Sequence, residues 1–201
     1  MLGKLWNLLP VETLHGYENP ELIDVVFQKT VAYRPSTPRL DFAKALTVLD
    51  FGGGCGIHYK QGANPDGRWA VVETPAMTAR AKELETDKLR FFTEIDDAAS
   101  WLGPINIMHS AGAIQYTPDP LSVVKKLCGL MANRMLWSRL FLGEGSEVQI
   151  SRLQDNGPGK IPTPRKKVAY PFKRIPKSDF LAAHGGYRLT AEGDDWFQFS
   201  R

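Results

Sequence analysis

The sequence predicts an α/β protein with a mostly parallel sheet, and three observations carry the prediction. Short apolar runs alternate with segments of helical period along most of the chain, the pattern of strands buried on both faces and joined by helical crossovers. Helix start signals recur between those runs: Asn19, Thr74 and Asp119 each stand directly before a proline, which suits the first position of a helix. Finally, "VLDFGGGCGIHYK" at 48–60 puts four glycines into five positions straight after an apolar run ending in Asp50 and Phe51. Something must approach that backbone closely.

Taken in order, "MLGKLWNLLP" offers Leu2, Leu5, Trp6 and Leu9 as an apolar helical stripe, expected to dock on the domain; only Lys4 accompanies it, so membrane contact is disfavoured. It lacks the apolar core and cleavage site of a leader. Residues 1–45 are expected to form an N-terminal helical segment, with "NPELIDVVFQKTVA" (19–32) as its main helix. Strands are expected at "ALTVLDF" (45–51), "RWAVVE" (68–73), "LRFFT" (89–93), "INIMHS" (105–110) and "RMLWSRLFL" (134–142), all short apolar runs suited to buried parallel strands. Helices fit at "TPAMTARAKELE" and "DPLSVVKKLCGLMA", the second turning Leu121, Val124, Leu127, Cys128 and Met131 inward.

Residues 143–176 break this alternation. Pro158, Pro162, Pro164, Pro171 and Pro176 oppose any long regular element, and the stretch reads as a Pro-rich basic insertion or lid. Order returns with "KSDFLAAHGGYRL", a helix capped by Ser178 or Asp179 and stopped at Gly185 and Gly186. "YRLTAE" and "DWFQFS", joined by a tight turn near Gly193, then form a closing strand pair. Trp101, Trp137 and Trp196 are expected in the core.

With 201 residues, 43% hydrophobic and 23% charged, the chain has the size of one globular domain. No stretch approaches the roughly 20 apolar residues of a membrane span, and a soluble, cytoplasmic protein is expected. Two cysteines, Cys55 and Cys128, make neither a disulfide framework nor a thiolate cluster, and the dispersed His15 and His184 lack a second ligand at helical spacing, so no metal is expected. The net charge of +3 hides a local concentration: Lys160, Arg165, Lys166, Lys167, Lys173, Arg174 and Lys177 fall in a stretch without Asp or Glu. Interleaved with Tyr170 and Phe172, the stretch suits an anionic substrate, with Lys166, Lys167, Tyr170, Lys173 and Arg174 as the expected contacts. Nucleic acid is one such partner and a phosphorylated or acidic sugar another. The small chain, with no separate RNA-binding module, favours the small molecule.

Spacing decides what the glycine loop can hold. A phosphate-binding P-loop needs Gly-Lys-Ser/Thr at its end, where Gly56 is followed by Ile57 and His58; a nicotinamide fingerprint from Gly52 needs glycine at Ile57. Asp50, Gly52, Gly54 and Gly56 instead fit D-x-G-x-G-x-G, and here the sequence resembles the class I S-adenosylmethionine-dependent methyltransferases. The likeness continues through Glu73, "TPAM", "TEID" and "INIMHSAGAIQYTPDPLSVVKKL". With "RMLWSRL", "YPFKRIPKSDFLAAHGGYRL" and "DWFQFS" it resembles a little-characterised group of small bacterial methyltransferase-like proteins from about residue 17 onward.

The resemblance implies a three-layer sandwich: a seven-stranded, mostly parallel sheet with an antiparallel last strand and helices on both faces. It implies S-adenosylmethionine as cofactor, wrapped by Gly52, Gly53, Gly54 and Gly56, with Asp50 pairing its cationic amine directly or through water. Glu73 would accept the ribose hydroxyls, Thr74 would border the adenine, and Glu94 or Asp96, the former preferred, would meet the adenine amine. His58 would line the cofactor and Ser110 its methyl end. Asn106 stands where an acid is frequent in the family.

Methyl transfer from a sulfonium is an in-line displacement, so the protein must chiefly hold the acceptor within about 3 to 3.5 Å and exclude water. A base is needed only for a hydroxyl or a protonated amine. His109, at the end of the fourth strand, and Tyr116, beyond it beside Gln115, are the expected catalytic residues, with His58 a further candidate base. The expected function is methyl transfer to a small-molecule or saccharide acceptor. The alternatives are a non-catalytic cofactor-binding or regulatory protein and a nucleic-acid methyltransferase.

Overall fold

The computed structural model describes residues 11–36 and 40–201; the stripe of Leu2, Leu5, Trp6 and Leu9 lies outside them. The described chain begins with β1 (Thr13–His15) and α1 (Pro20–Ala32). Asn19 caps α1 as its sequence signal predicts, its side-chain oxygen accepting from Glu21 N–H at 3.0 Å, with Pro20 where no N–H is wanted. A 3₁₀ turn at Leu40–Phe42 leads into β2 (Thr47–Phe51), α2 (Ile57–Lys60), β3 (Arg68–Val72), α3 (Pro75–Ala81), β4 (Leu89–Phe92), α4 (Ile95–Leu102), β5 (Ile107–Ala111), α5 (Pro120–Gly129) and β6 (Arg134–Ser138). Then come β7 (Ser146–Arg152), β8 (Lys167–Lys173), α6 (Lys177–Ala183), β9 (Arg188–Glu192) and β10 (Phe197–Ser200). No helix of the described residues is long and apolar enough to cross a membrane.

The main sheet has seven strands in the order β4-β3-β2-β5-β6-β10-β9. β2 through β6 pair in parallel, and β10 runs antiparallel to both β6 and β9. This is the predicted sheet. Because β3 and β4 extend from one side of β2 while β5 and β6 lie on the other, the switch point falls between the carboxyl ends of β2 and β5.

Side chains alternate between two cores, as the period of two requires. Leu49, Met108, Met135 and Trp137 pack with Leu102, Val124 and Phe180 on one face; Val48, Val71, Ile107 and Leu136 pack with Phe27, Phe42 and Met77 on the other. Asn106 ties two strands together. Its side-chain oxygen accepts from Leu46 N–H at 2.8 Å and Thr47 N–H at 3.1 Å, pinning the start of β2 beside β5.

Four expectations are corrected. The region 143–176 is not irregular: β7 and β8 pair antiparallel from Ser146 with Lys173 to Arg152 with Lys167, and β1 joins β8 in parallel to make a second, three-stranded sheet. Pro171 is tolerated inside β8 because β1 reaches only Lys167 to Ala169, so at Pro171 the strand has one neighbour. The N-terminal segment accordingly contains a strand as well as α1. The strand at 134–142 stops at Ser138, because Arg139 takes a left-handed backbone with φ 53°. Trp196 is 42% exposed rather than core, whereas Trp137 is buried and Trp101 is half-buried beside Arg68 and Arg90.

The second sheet is fastened to α1 by a buried lysine. Lys29 donates to the carbonyls of Gln154 at 2.6 Å and Asn156 at 2.7 Å, just after β7. Burial lowers its pKa, an effect that Asp155 opposes.

Candidate functional site

The glycine loop leaves β2 at the switch point. Gly52, Gly54 and Gly56 hold φ of 72°, 57° and 84°, backbone that only glycine adopts readily. Much of what crowds this loop is the protein itself. A Cβ on Gly52 would lie 2.0 Å from Ala113 Cβ, and one on Gly53 would lie 2.3 Å from Asp50 Oδ2. The loop thus folds back over its own aspartate and against the turn that follows β5.

Beneath it Asp50 is a buried hub. Its carboxylate takes Nδ1 of His109 at 2.7 Å and Nδ1 of His58 at 2.9 Å, with the Trp69 indole N–H at 3.4 Å. Burial pushes the Asp50 pKa up, but the two imidazoles outweigh it and hold the carboxyl below the ordinary carboxylate range. The ligating atoms of the three residues lie within 4.8 Å of one another. Those contacts have hydrogen-bond lengths. Asp50 is therefore committed to the histidines, not turned toward a ligand as expected.

His109 faces the same side of the sheet as Asp50, since the two are register partners on β2 and β5. It has no exposed surface and packs edge-on against Phe42 and His58. Its expected role as the acceptor's base would require that enclosure to open. His58 keeps 13% exposure.

Glu73, directly after β3, does face the loop. Its carboxylate accepts Gly54 N–H at 2.8 Å and Thr74 N–H at 3.0 Å. Burial, helped by the negative charges of Asp50 and Glu18, raises its pKa by more than those two donors lower it. Thr74 itself caps α3, accepting from Met77 N–H. Asp96 is ion-paired with Lys126 at 2.9 Å, while Glu94 is exposed at the head of α4. Ser110 is buried near the end of β5, and among the described residues neither its hydroxyl nor the side-chain oxygen of Gln115 has a hydrogen-bond partner.

Tyr116 is half-buried in a tyrosine cluster. It lies 5.2 Å from Tyr17 and 5.0 Å from Tyr170, whose rings stack on each other at 4.7 Å. Its hydroxyl donates to Gln149 Oε1 at 2.6 Å, and burial raises its pKa.

The basic stretch is not one patch. Lys166 pairs with Glu21 and Glu12, Lys173 donates to Pro118 O at 2.6 Å, and Arg174 pairs with Glu147 at 2.7 Å. Lys166 and Lys167 stand at one end of β8 and Lys173 and Arg174 at the other, roughly 20 Å apart along the strand. Tyr170 is buried, its hydroxyl on Ser151. Tyr17 and Arg139 carry no motif signal; Tyr17 joins the cluster only through the β1–β8 pairing that precedes it.

No protein-family model and no curated protein sequence matches the chain. Solved structures do. DesVI of Streptomyces venezuelae aligns at 15% identity and a TM-score of 0.50 over 90% of this chain and 92% of that one. An O-methyltransferase family protein from Burkholderia thailandensis aligns at 15% identity and a TM-score of 0.51 over 89% of this chain and 54% of that one. The sugar N-methyltransferase KedS8 from Streptoalloteichus sp ATCC 53650 gives 17% identity and a TM-score of 0.49 over 90% and 87%. The chain has the class I methyltransferase fold.

Proposed function

We propose that the protein transfers a methyl group from S-adenosylmethionine to a small-molecule acceptor. The observation that carries this reading is the juxtaposition at the switch point of the left-handed glycine loop with the Glu73 carboxylate. Two backbone N–H groups occupy Glu73, one on each oxygen. A carboxylate has about four acceptor positions, which leaves room for two ribose hydroxyls. The Ser110 hydroxyl near the end of β5, unpartnered among the described residues, would supply a further polar contact, and Glu94, which unlike Asp96 has no ion pair among the described residues, would meet the adenine amine. When bound, the cofactor supplies an electrophilic methyl on a sulfonium.

What remains for the chain is orientation. Asp50, His58 and His109 form a hydrogen-bonded floor that fixes the loop, so His109 is a positioning residue. Tyr116, held by Gln149, orients the acceptor by its ring. Transfer then rests on proximity and exclusion of water, which suits an acceptor whose nucleophile needs no base from the protein.

S-Adenosylhomocysteine should raise the melting temperature by mass action, and NAD should not. Release of S-adenosylhomocysteine from S-adenosylmethionine in the presence of an acceptor panel separates an enzyme from a non-catalytic binder. No shift with S-adenosylhomocysteine, or an equal one with NAD, refutes the cofactor assignment.

A further inference from the structure

Among the described residues, the second sheet ends on an uncovered edge. β7 is its outer strand, in the order β1-β8-β7, and pairs with β8 without a shift of register from Ser146 opposite Lys173 to Arg152 opposite Lys167. The phase of this ladder fixes which backbone groups face outward. Arg174 N–H donates to Gly145 O at 3.0 Å and Leu153 N–H to Lys166 O at 2.9 Å, both in the same register. Hydrogen-bonded pairs alternate along an antiparallel ladder, so Glu147, Gln149 and Ser151 turn their backbone groups to β8, and Ser146, Val148, Ile150 and Arg152 turn theirs away. Of these outward groups only the Arg152 carbonyl has a partner among the described residues, accepting from Asn156 Nδ2 at 3.0 Å.

The side chains at the centre of that edge are apolar where a free edge is usually guarded. Val148 is 68% exposed and Ile150 60%. They lie on the face opposite Gln149, which holds Tyr116, and Ser151, which holds Tyr170. Exposed Pro171 stands beside Val148 in register. β7 contains neither proline nor lysine, two residues that commonly blunt an edge.

The strand is complementary to itself. Turned about a two-fold axis through Gln149, a second copy of β7 runs antiparallel to the first and sets Val148 opposite Ile150, Ser146 opposite Arg152, Glu147 opposite Ser151 and Gln149 opposite Gln149. Both apolar side chains then meet an apolar partner, and no like charges face each other. A shift of two residues opposes Val148 to Arg152, or Ile150 to Ser146, and loses the match. The outward backbone groups make Val148 and Ile150 hydrogen-bonded pairs and leave Gln149 in a non-hydrogen-bonded one. We propose that the protein is a homodimer in which β7 pairs antiparallel with β7 of a second copy, joining two three-stranded sheets into one of six strands. Such a two-fold contact closes on itself and leaves neither β7 open. Because Gln149 accepts the Tyr116 hydroxyl at 2.6 Å, the axis runs beside the tyrosine clusters of both copies. The inference is independent of the methyl-transfer reading.

Sedimentation velocity of the full chain across the micromolar range, without ligand, should show a species of twice the chain mass. Val148→Lys and Ile150→Lys together should weaken it at least about tenfold, since every lysine then faces another, while Ile150→Val should retain it. Both side chains are exposed in the single copy, so the double variant should keep the circular dichroism of the parent. Gln149→Cys checks the register: a non-hydrogen-bonded pair sets its Cα atoms about 4.5 Å apart, inside the disulfide range of about 4.4 to 6.8 Å. This variant should cross-link to itself on mild oxidation, and Glu147→Cys, displaced from its counterpart along the strand, should not. A monomer at every concentration overturns the proposal. A dimer that survives the double lysine variant, or one that cross-links through Glu147→Cys and not through Gln149→Cys, does so too.

Discussion

Nδ1 of His109 lies 2.7 Å from Oδ1 of Asp50, and neither side chain has any exposed surface. The pair bridges β2 and β5 at the switch point, and it makes the floor of the glycine loop a matter of stability before chemistry. His109→Gln should lower unfolding stability by about 1 to 3 kcal/mol, the range for a buried polar contact made worse, and leave the shape of the pH–rate profile unchanged. A loss of about 10² or more in turnover with full cofactor affinity, the signature of a missing general base, would count decisively against a positioning role.

Glu73 should show opposed effects on stability and binding. Its pKa is raised by burial, so the folded protein without ligand holds the charged form less readily than the unfolded chain. Sign follows from linkage: this group favours the folded state more as pH falls, and weighs against it at neutral pH. Glu73→Gln should therefore raise the melting temperature of the ligand-free protein at neutral pH while weakening S-adenosylhomocysteine by about tenfold, as expected for a lost charge-assisted contact. Calorimetry and titration on the same variant check both halves; lower stability together with unchanged affinity contradicts the assignment.

His184 should set an acid limb in stability. Its Nδ1 faces Phe180 O at 2.7 Å and its Nε2 accepts the Trp137 indole N–H at 2.9 Å, which fixes a neutral ring. Burial lowers its pKa from 6.5 to about 4. The unfolded chain then binds the proton first, so stability is full above about pH 6.5 and falls by about 3 kcal/mol as pH drops to about 4. Denaturant midpoints across that range should flatten in His184→Gln; an unaltered slope would remove His184 from the account.

Gly52→Ala should be destabilising by about 2 to 5 kcal/mol, from overpacking against Ala113 and a left-handed backbone together. Ala113→Gly in the same chain should restore the packing part only, leaving about 1 to 2 kcal/mol of backbone penalty. Full recovery in the double variant would mean that the left-handed conformation is not held.

Much of the fold is written locally. Asn19, Thr74 and Asp119 each cap the helix their prolines announce, and the apolar runs ending at Asp50 and before Glu73 are β2 and β3. The second sheet was not legible, because counting prolines measures local disruption, whereas β8 is stabilised by a strand far away in the sequence. His109 illustrates a different limit: spacing placed it at the end of β5, but its burial depends on Phe42 and His58 arriving from elsewhere. Trp196 was legible in retrospect, since Phe197 and Phe199 are the buried set of β10 and leave Trp196 and Gln198 to the other face. Nothing in the residue type marked Arg139 as left-handed.

The pairing of Thr13–His15 with Lys167–Ala169 also orders events on the ribosome. The segment that emerges early waits, unpaired, for a partner translated after most of the main sheet. β10 arrives later still, yet belongs inside that sheet between β6 and β9. Until it slots in, the nascent chain carries β6 as an open edge, the kind of exposed strand that recruits a neighbouring chain. Such long-range closure is slow, so the interval between the synthesis of β6 and that of β10 is the one in which this edge stands open.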